Sequence, residues 1–118
     1  MCSKSANYCH AHLSDNSGLL LLTEVALGST YNRTQAEFVT KLPKNTHSTW
    51  GQGGTEPDNN EFLEIDSSCP GQKVRVPYGK PTSVTRSGSL LYNEFIVYNT
   101  AQANLRYLIK CKFHNKKH

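Results

Sequence analysis

Gly18 and Gly28 bracket the run Leu-Leu-Leu-Leu-Thr-Glu-Val-Ala-Leu, which constrains the fold more than any other segment of this chain. Laid out as a strand, Leu19, Leu21, Thr23, Val25 and Leu27 fall on one face, and Leu20, Leu22, Glu24 and Ala26 on the other. Both faces are largely apolar, the pattern of an interior strand. Leu, Ala and Glu also favour helices, and periodicity alone leaves that alternative open. The run cannot cross a membrane as a helix. Its aliphatic stretch, Leu19–Leu22, is closed by Thr23 and Glu24, far short of the ~20 residues a span needs.

The 118 residues have room for one domain. Hydrophobic residues at 36% and charged residues at 19% describe a rather polar globular protein, excluding collagen, coiled coil and a strongly charged disordered tail. The N-terminus, Met-Cys-Ser-Lys-Ser-Ala-Asn-Tyr-Cys-His, lacks the apolar stretch of a secretory signal. Cys2, Cys9, Cys69 and Cys111 form no Cys-x-x-Cys pair, as expected of reduced thiols in a cytosolic or nuclear protein. The formal charge of +4 gathers at the C-terminal end, in Arg106, Lys110, Lys112, Lys116 and Lys117 with His114 and His118. Such an end can touch phosphate or keep the chain solvated, and no aromatic platform accompanies it.

Along the chain, Ser3 is a plausible N-cap for a helical turn through Lys4–His10, on which Ser5 and Tyr8 share a face and Lys4 projects elsewhere. Asp15-Asn16-Ser17-Gly18 is a turn. Leu42–Asn60, with Pro43, Gly51, Gly53, Gly54 and Pro57, reads as one long loop of the kind that often binds ligand. Glu61–Asp66 and Lys73–Val76 read as a hairpin turning at Pro70-Gly71, and Tyr78–Gly88 as a second turn region. Ser89–Asn99 is a strand. In a last one, Leu105, Tyr107, Ile109, Cys111 and Phe113 alternate with a mostly basic face. The expected class is α+β, mainly β, with mainly antiparallel sheet and a short N-terminal helix.

Glu94 is the residue that asks for chemistry. Its strand face carries Leu90, Tyr92, Ile96 and Tyr98, and the opposite face Leu91, Asn93, Phe95 and Val97. A carboxylate in such surroundings needs donors, a cation, a proton or a ligand hydroxyl. A Lys or Arg partner, or a place at an open sheet edge, would satisfy it equally. Cys2, Cys9, His10 and His12 match no standard zinc framework. Gly51-x-Gly53-Gly54 lacks the Lys-Ser/Thr of a phosphate loop. Asn32-Arg33-Thr34 fits a glycosylation acceptor, which a chain without a signal would not use.

Three segments carry a resemblance. Ser3-Lys-Ser-Ala-Asn-Tyr-Cys-His10, Gly18–Gly28 and Leu90-Leu-Tyr-Asn-Glu-Phe-Ile-Val-Tyr98 resemble, in that order, the poly(ADP-ribose) polymerase catalytic domain, closest to its DNA-damage-responsive branch. Lys41–Lys44, His47-Ser48, Thr55–Asp58, Val76–Gly79 and Ala101–Phe113 match more loosely. The resemblance implies residues 1–118 as the C-terminal half of that domain. It implies transfer of ADP-ribose from NAD⁺, as substrate, to protein acceptors and growing poly(ADP-ribose), with release of nicotinamide and no metal. Ser5 would hydrogen-bond the nicotinamide carboxamide, Tyr8 would stack on its ring, and Glu94 would be the catalytic glutamate. Lys4 aligns with a lysine near that glutamate, and Leu91 and Tyr92 flank the acceptor side.

The resemblance further implies nuclear localisation, no membrane contact, and DNA engagement only through regions outside this chain. The family's histidine-glycine motif and glycine-tyrosine strand precede the segment that Ser3–His10 matches and are not in this sequence, which implies weak or no activity for the isolated chain. Trp50 and Gln52 stand where the family commonly has lysine and leucine. The alternative is a non-catalytic β module that binds a partner chain or nucleic acid through Lys110, Lys112, Lys116 and Lys117.

Overall fold

A computed structural model describes residues 1–114. They form one short helix, α1 (Cys2–Ala6), two 3-10 turns at Ala11–Leu13 and Thr100–Gln102, and nine strands. The strands are β1 (Ser17–Val25), β2 (Thr30–Arg33), β3 (Ser48–Gly51), β4 (Thr55–Pro57), β5 (Phe62–Asp66), β6 (Lys73–Pro77), β7 (Pro81–Ser83), β8 (Glu94–Val97) and β9 (Ala103–Lys112). The protein is therefore α+β and mainly β, as expected. β2–β3 pairs parallel, whereas β3–β8, β4–β7 and β5–β6 pair antiparallel. No helix among the described residues is long and apolar enough to cross a membrane.

The chain divides into two compact units, one made of Met1–Thr23 with the segment from Leu105 onward, the other of Glu24–Asn104. In the first, α1 begins at Cys2 with Met1 as its cap, so Ser3 lies inside the helix rather than at its N-cap. The helix also stops at Ala6, and His10 turns left-handed (φ 47°), which ends the helical course before the expected boundary. Asp15 and Asn16 are likewise left-handed, making the turn expected before Gly18. Gly18 is held where an added Cβ would lie 2.8 Å from the Phe113 ring and 2.9 Å from Cys9 Cβ, so only glycine fits.

β1 pairs with β9 in a two-stranded sheet. That corrects the expectation of an interior strand. Leu19, Leu21 and Leu22 are exposed, and so are Leu105, Tyr107 and Ile109 on β9, which is not the half-buried strand its alternation predicts. Alternation reports which residues share a face, not whether a neighbour covers that face.

In the second unit the order β2-β3-β8 forms a three-stranded sheet. Its centre, β3, lies inside the stretch expected to be a loop. β4 also interrupts that stretch, and β7 interrupts the second turn region. All three are short and polar, and each owes its extended form to partners distant in sequence. Ser48, Thr49, Gly51 and Gly53 are the residues most removed from solvent among those described, and no apolar side chain is buried. The Ser48 hydroxyl donates to the Leu27 carbonyl at 2.8 Å, and Thr49 Oγ1 shares a 2.8 Å hydrogen bond with the Tyr98 hydroxyl. Among the described residues no buried side-chain polar atom lacks a partner, so this centre holds by hydrogen bonding, not by an apolar core.

Two devices tie the remaining segments down. The β5–β6 hairpin forms as expected, with Gly71 at φ 78° in its turn. The Glu24 carboxylate accepts from the Ser67 hydroxyl and from the Ser68 amide, fixing that turn. Between β8 and β9, Asn99 and Gln102 form a capping box, and Gln102 Nε2 donates to the carbonyls of Ala26 at 3.0 Å and His47 at 2.9 Å.

Gly53 is the glycine that the second unit can least replace. A Cβ there would run into the Tyr92 carbonyl carbon and come within 2.5 Å of the Asn93 amide nitrogen, both of them backbone. Gly53→Ala is expected to destabilise the protein by about 2 kcal/mol or more, read from urea denaturation. Gly71→Ala has nothing within 4 Å and loses only its left-handed freedom, so it is expected to cost about 1 kcal/mol.

Candidate active site

Ser5 and Tyr8 come together as their spacing predicts, although the helix ends between them. The Tyr8 amide donates to the Ser5 carbonyl at 3.1 Å, and this turn keeps the two side chains one above the other. They line a cavity of about 440 Å³ together with Cys2, Cys9, Leu19–Leu22 and Ile109. Its wall is aliphatic, with one hydroxyl and one phenol ring as the polar and flat elements. That combination suits a planar, largely apolar ligand with an amide or similar group to hydrogen-bond. Tyr8 is 71% exposed, leaving its ring face open to such a ligand. Lys4 is half-buried on α1 and makes its own electrostatic or hydrogen-bond contact.

Glu94, Leu91 and Tyr92 belong to the other unit. Glu94 opens β8 and is half-buried, so its setting is less enclosed than the apolar run around it predicts. It is partnered. β8 itself is shorter than expected. Leu90–Tyr92 precede it and are held by backbone pairing instead: Gly54 N donates to Leu90 O at 3.0 Å and Thr55 N to Leu91 O at 2.9 Å. Leu91 is exposed and Tyr92 half-buried, forming a single bridge with Thr55.

Opposite Glu94 in the sheet register stands Gly51. A Cβ on Gly51 would lie 2.8 Å from Leu90 Cδ1 and 3.5 Å from Glu94 Cβ. The glycines of Gly51-x-Gly53-Gly54 thus serve close backbone approach to residues 90–94. This explains their presence better than a phosphate loop, which their spacing never supported.

Sequence reasoning missed the residues that hold this segment. Asn93 Oδ1 accepts from Trp50 Nε1 at 3.1 Å, Gly53 N at 2.9 Å and Arg86 Nη1 at 3.3 Å, while its Nδ2 donates to Glu56 Oε2 at 3.1 Å. Arg86 and Glu56 form an ion pair at 3.2 Å with side chains 25% and 15% exposed. The one available signal was that Trp50 departs from the family pattern.

The other candidates assemble no site. Among the described residues no three His, Cys, Asp or Glu side chains group as metal ligands, and the four cysteines are free thiols. His10 and His12 meet edge to face, with ring centroids 6.2 Å apart. Of the basic end, Lys112 pairs with Asp15 at 3.1 Å and Arg106 is half-buried and partnered. Lys116, Lys117 and His118 lie outside the described residues.

Residues 1–113 match the family model of the poly(ADP-ribose) polymerase catalytic domain. The chain is 51% identical over 117 residues to poly(ADP-ribose) polymerase 1 of Xenopus laevis, 49% identical to that of Gallus gallus, and 44% identical to poly(ADP-ribose) polymerase of Sarcophaga peregrina. Each match takes in 98% of this chain, which spans 11% of the length of each of those relatives. With residues 1–113 of this chain matched by the family model and about half of its residues shared with such relatives, the chain belongs to the poly(ADP-ribose) polymerase catalytic domain family.

Proposed function

We propose that this chain is the C-terminal part of an NAD⁺-dependent ADP-ribosyltransferase that modifies protein acceptors and extends poly(ADP-ribose). The observation that carries the reading is the pairing of Ser5 and Tyr8 on the wall of one aliphatic cavity, in a chain matched to the family over residues 1–113. The Ser5 hydroxyl hydrogen-bonds the nicotinamide carboxamide and the Tyr8 ring stacks on the pyridinium. Glu94 holds a ribose hydroxyl of the donor. As the bond between the anomeric carbon and the pyridinium nitrogen breaks, both its electrons leave with nicotinamide. The ribose then carries oxocarbenium-like positive charge, and a fixed carboxylate stabilises that charge more than it stabilises the ground state. The acceptor hydroxyl bonds to the anomeric carbon as its O–H bond breaks, and the proton passes to water. Lys4 takes part by its match to the family, and Leu91 and Tyr92 border the acceptor. Nuclear localisation is part of the same proposal.

In the protein expressed from its full native reading frame, Glu94→Gln is expected to abolish polymer formation, followed by gel mobility of ³²P-labelled product. Polymer of unchanged amount and length would remove Glu94 from the mechanism. Nicotinamide titrated calorimetrically into the same protein is expected to bind Tyr8→Ala at least ~10-fold more weakly than wild type, since a stacked ring contributes on the order of 1 kcal/mol beyond its buried area. Equal affinities would assign the cavity to another ligand.

A further inference from the structure

Trp50 grips both neighbours of Glu94. Its indole Nε1 donates to Asn93 Oδ1 at 3.1 Å, and its ring stacks on Phe95 with centroids 5.7 Å apart and an interplanar angle of 18°. Trp50 and Phe95 are cross-strand partners in the β3–β8 register, and the next pair is Gly51 with Glu94. By the pleat, Phe95 and Glu94 point to opposite sides of β8, and the Asn93 side chain meets the same Trp50 that stacks on Phe95. The grip on its neighbours therefore sets the backbone of Glu94 while leaving the face that carries its carboxylate to the reaction.

Arg86 and Glu56 complete the clamp. Arg86 Nη1 donates to Gly53 O at 3.1 Å, Glu56 Oε2 at 3.2 Å and Asn93 Oδ1 at 3.3 Å. Its guanidinium carbon stands 5.1 Å from the centroid of the Trp50 ring. With donors from Trp50, Gly53 and Arg86 on one Asn93 oxygen, and Glu56 taking the Asn93 amide, that side chain is confined to one rotamer. Networks of this kind polarise one another and rigidify the segment they enclose. A reacting group misplaced by about 1 Å can lose ~100-fold in rate, so rigidity here bears on turnover.

We infer that Trp50 and Arg86 are positioning residues for Glu94, acting through Asn93 and Phe95. The inference rests on the catalytic reading of Glu94 given above. It is not carried by the family resemblance, because Trp50 stands where the family commonly has lysine.

The test is initial-rate kinetics with NAD⁺ on the protein expressed from its full native reading frame, corrected for the folded fraction. Trp50→Phe keeps the stack and loses the donor. It is expected to lower kcat by ~10-fold while the KM for NAD⁺ stays within about twofold, since the nicotinamide contacts are untouched. Arg86→Ala is expected to behave likewise, and Arg86→Lys, which keeps the charge, to recover part of the loss. A residue that only stabilises the fold would lower the folded fraction and leave kcat per folded molecule unchanged. Glu94→Gln runs alongside. If it abolishes turnover while Trp50→Phe and Arg86→Ala both keep wild-type kcat, the positioning role is wrong and the catalytic reading stands. If wild type makes no ADP-ribosylated product, or Glu94→Gln turns over normally, the catalytic reading fails and takes the positioning role with it.

Discussion

The pairing of β3 on both its edges is the constraint on which the Glu24–Asn104 unit depends. β2 lies parallel along one side and β8 antiparallel along the other. Every backbone group of a strand so placed can be satisfied within the sheet, and Ser48, Thr49 and Gly51 can therefore be withdrawn from water without penalty. The register that follows sets Glu94 opposite Gly51. A side chain at Gly51 would collide with Leu90, and one at Gly53 with the Tyr92–Asn93 backbone, so the position of Glu94 is bought with two glycines.

The same unit replaces apolar burial with satisfied polar contacts. Ser48 donates to Leu27, Thr49 meets Tyr98, Gln102 spans Ala26 and His47, and Asn93 accepts three donors while giving one. Each neutral hydrogen bond contributes only about 1 kcal/mol net, but leaving one buried partner unpaired costs about 1–3 kcal/mol. A centre built this way penalises substitution of any member, because one lost partner strands another. The ion pair of Arg86 with Glu56 follows the same logic: both are mostly sheltered and both carry further hydrogen bonds, which is what makes a sheltered charge pair tolerable.

The unit that carries α1 works on a different principle. There the helical turn delivers Ser5 and Tyr8 to one cavity wall whose remaining lining is largely the aliphatic row Leu19–Leu22. Gly18 lets Cys9 and Phe113 close over the start of β1, and Lys112 bridges to Asp15 beside the left-handed turn. The leucines of β1 that look like core in the sequence are thus partly the lining of an open cavity.

How much of this was legible follows from where the determining contacts lie along the chain. The β5–β6 hairpin was readable because its turn residues sit between its strands. The run that forms β1 stood out by its leucines, although periodicity left a helix open there, and the Ser5–Tyr8 face was readable from a spacing of three. Glu94 could be singled out because the pleat of one strand set a carboxylate among tyrosines and aliphatics. β3, β4 and β7 were not readable: four or fewer polar residues carry no period, and their partners lie tens of residues away. The Trp50–Arg86–Glu56–Asn93 cluster was invisible for the same reason, joining residues as much as 43 positions apart whose types occur on any polar surface. The sequence by itself determined the mainly β class and the family, and singled out candidate residues, because those depend on local pattern and motif. Only the tertiary structure decided which strand sits at the centre and what holds Glu94 in place. Pairing and hydrogen bonding between distant segments are properties of the folded chain, and no window of residues contains them.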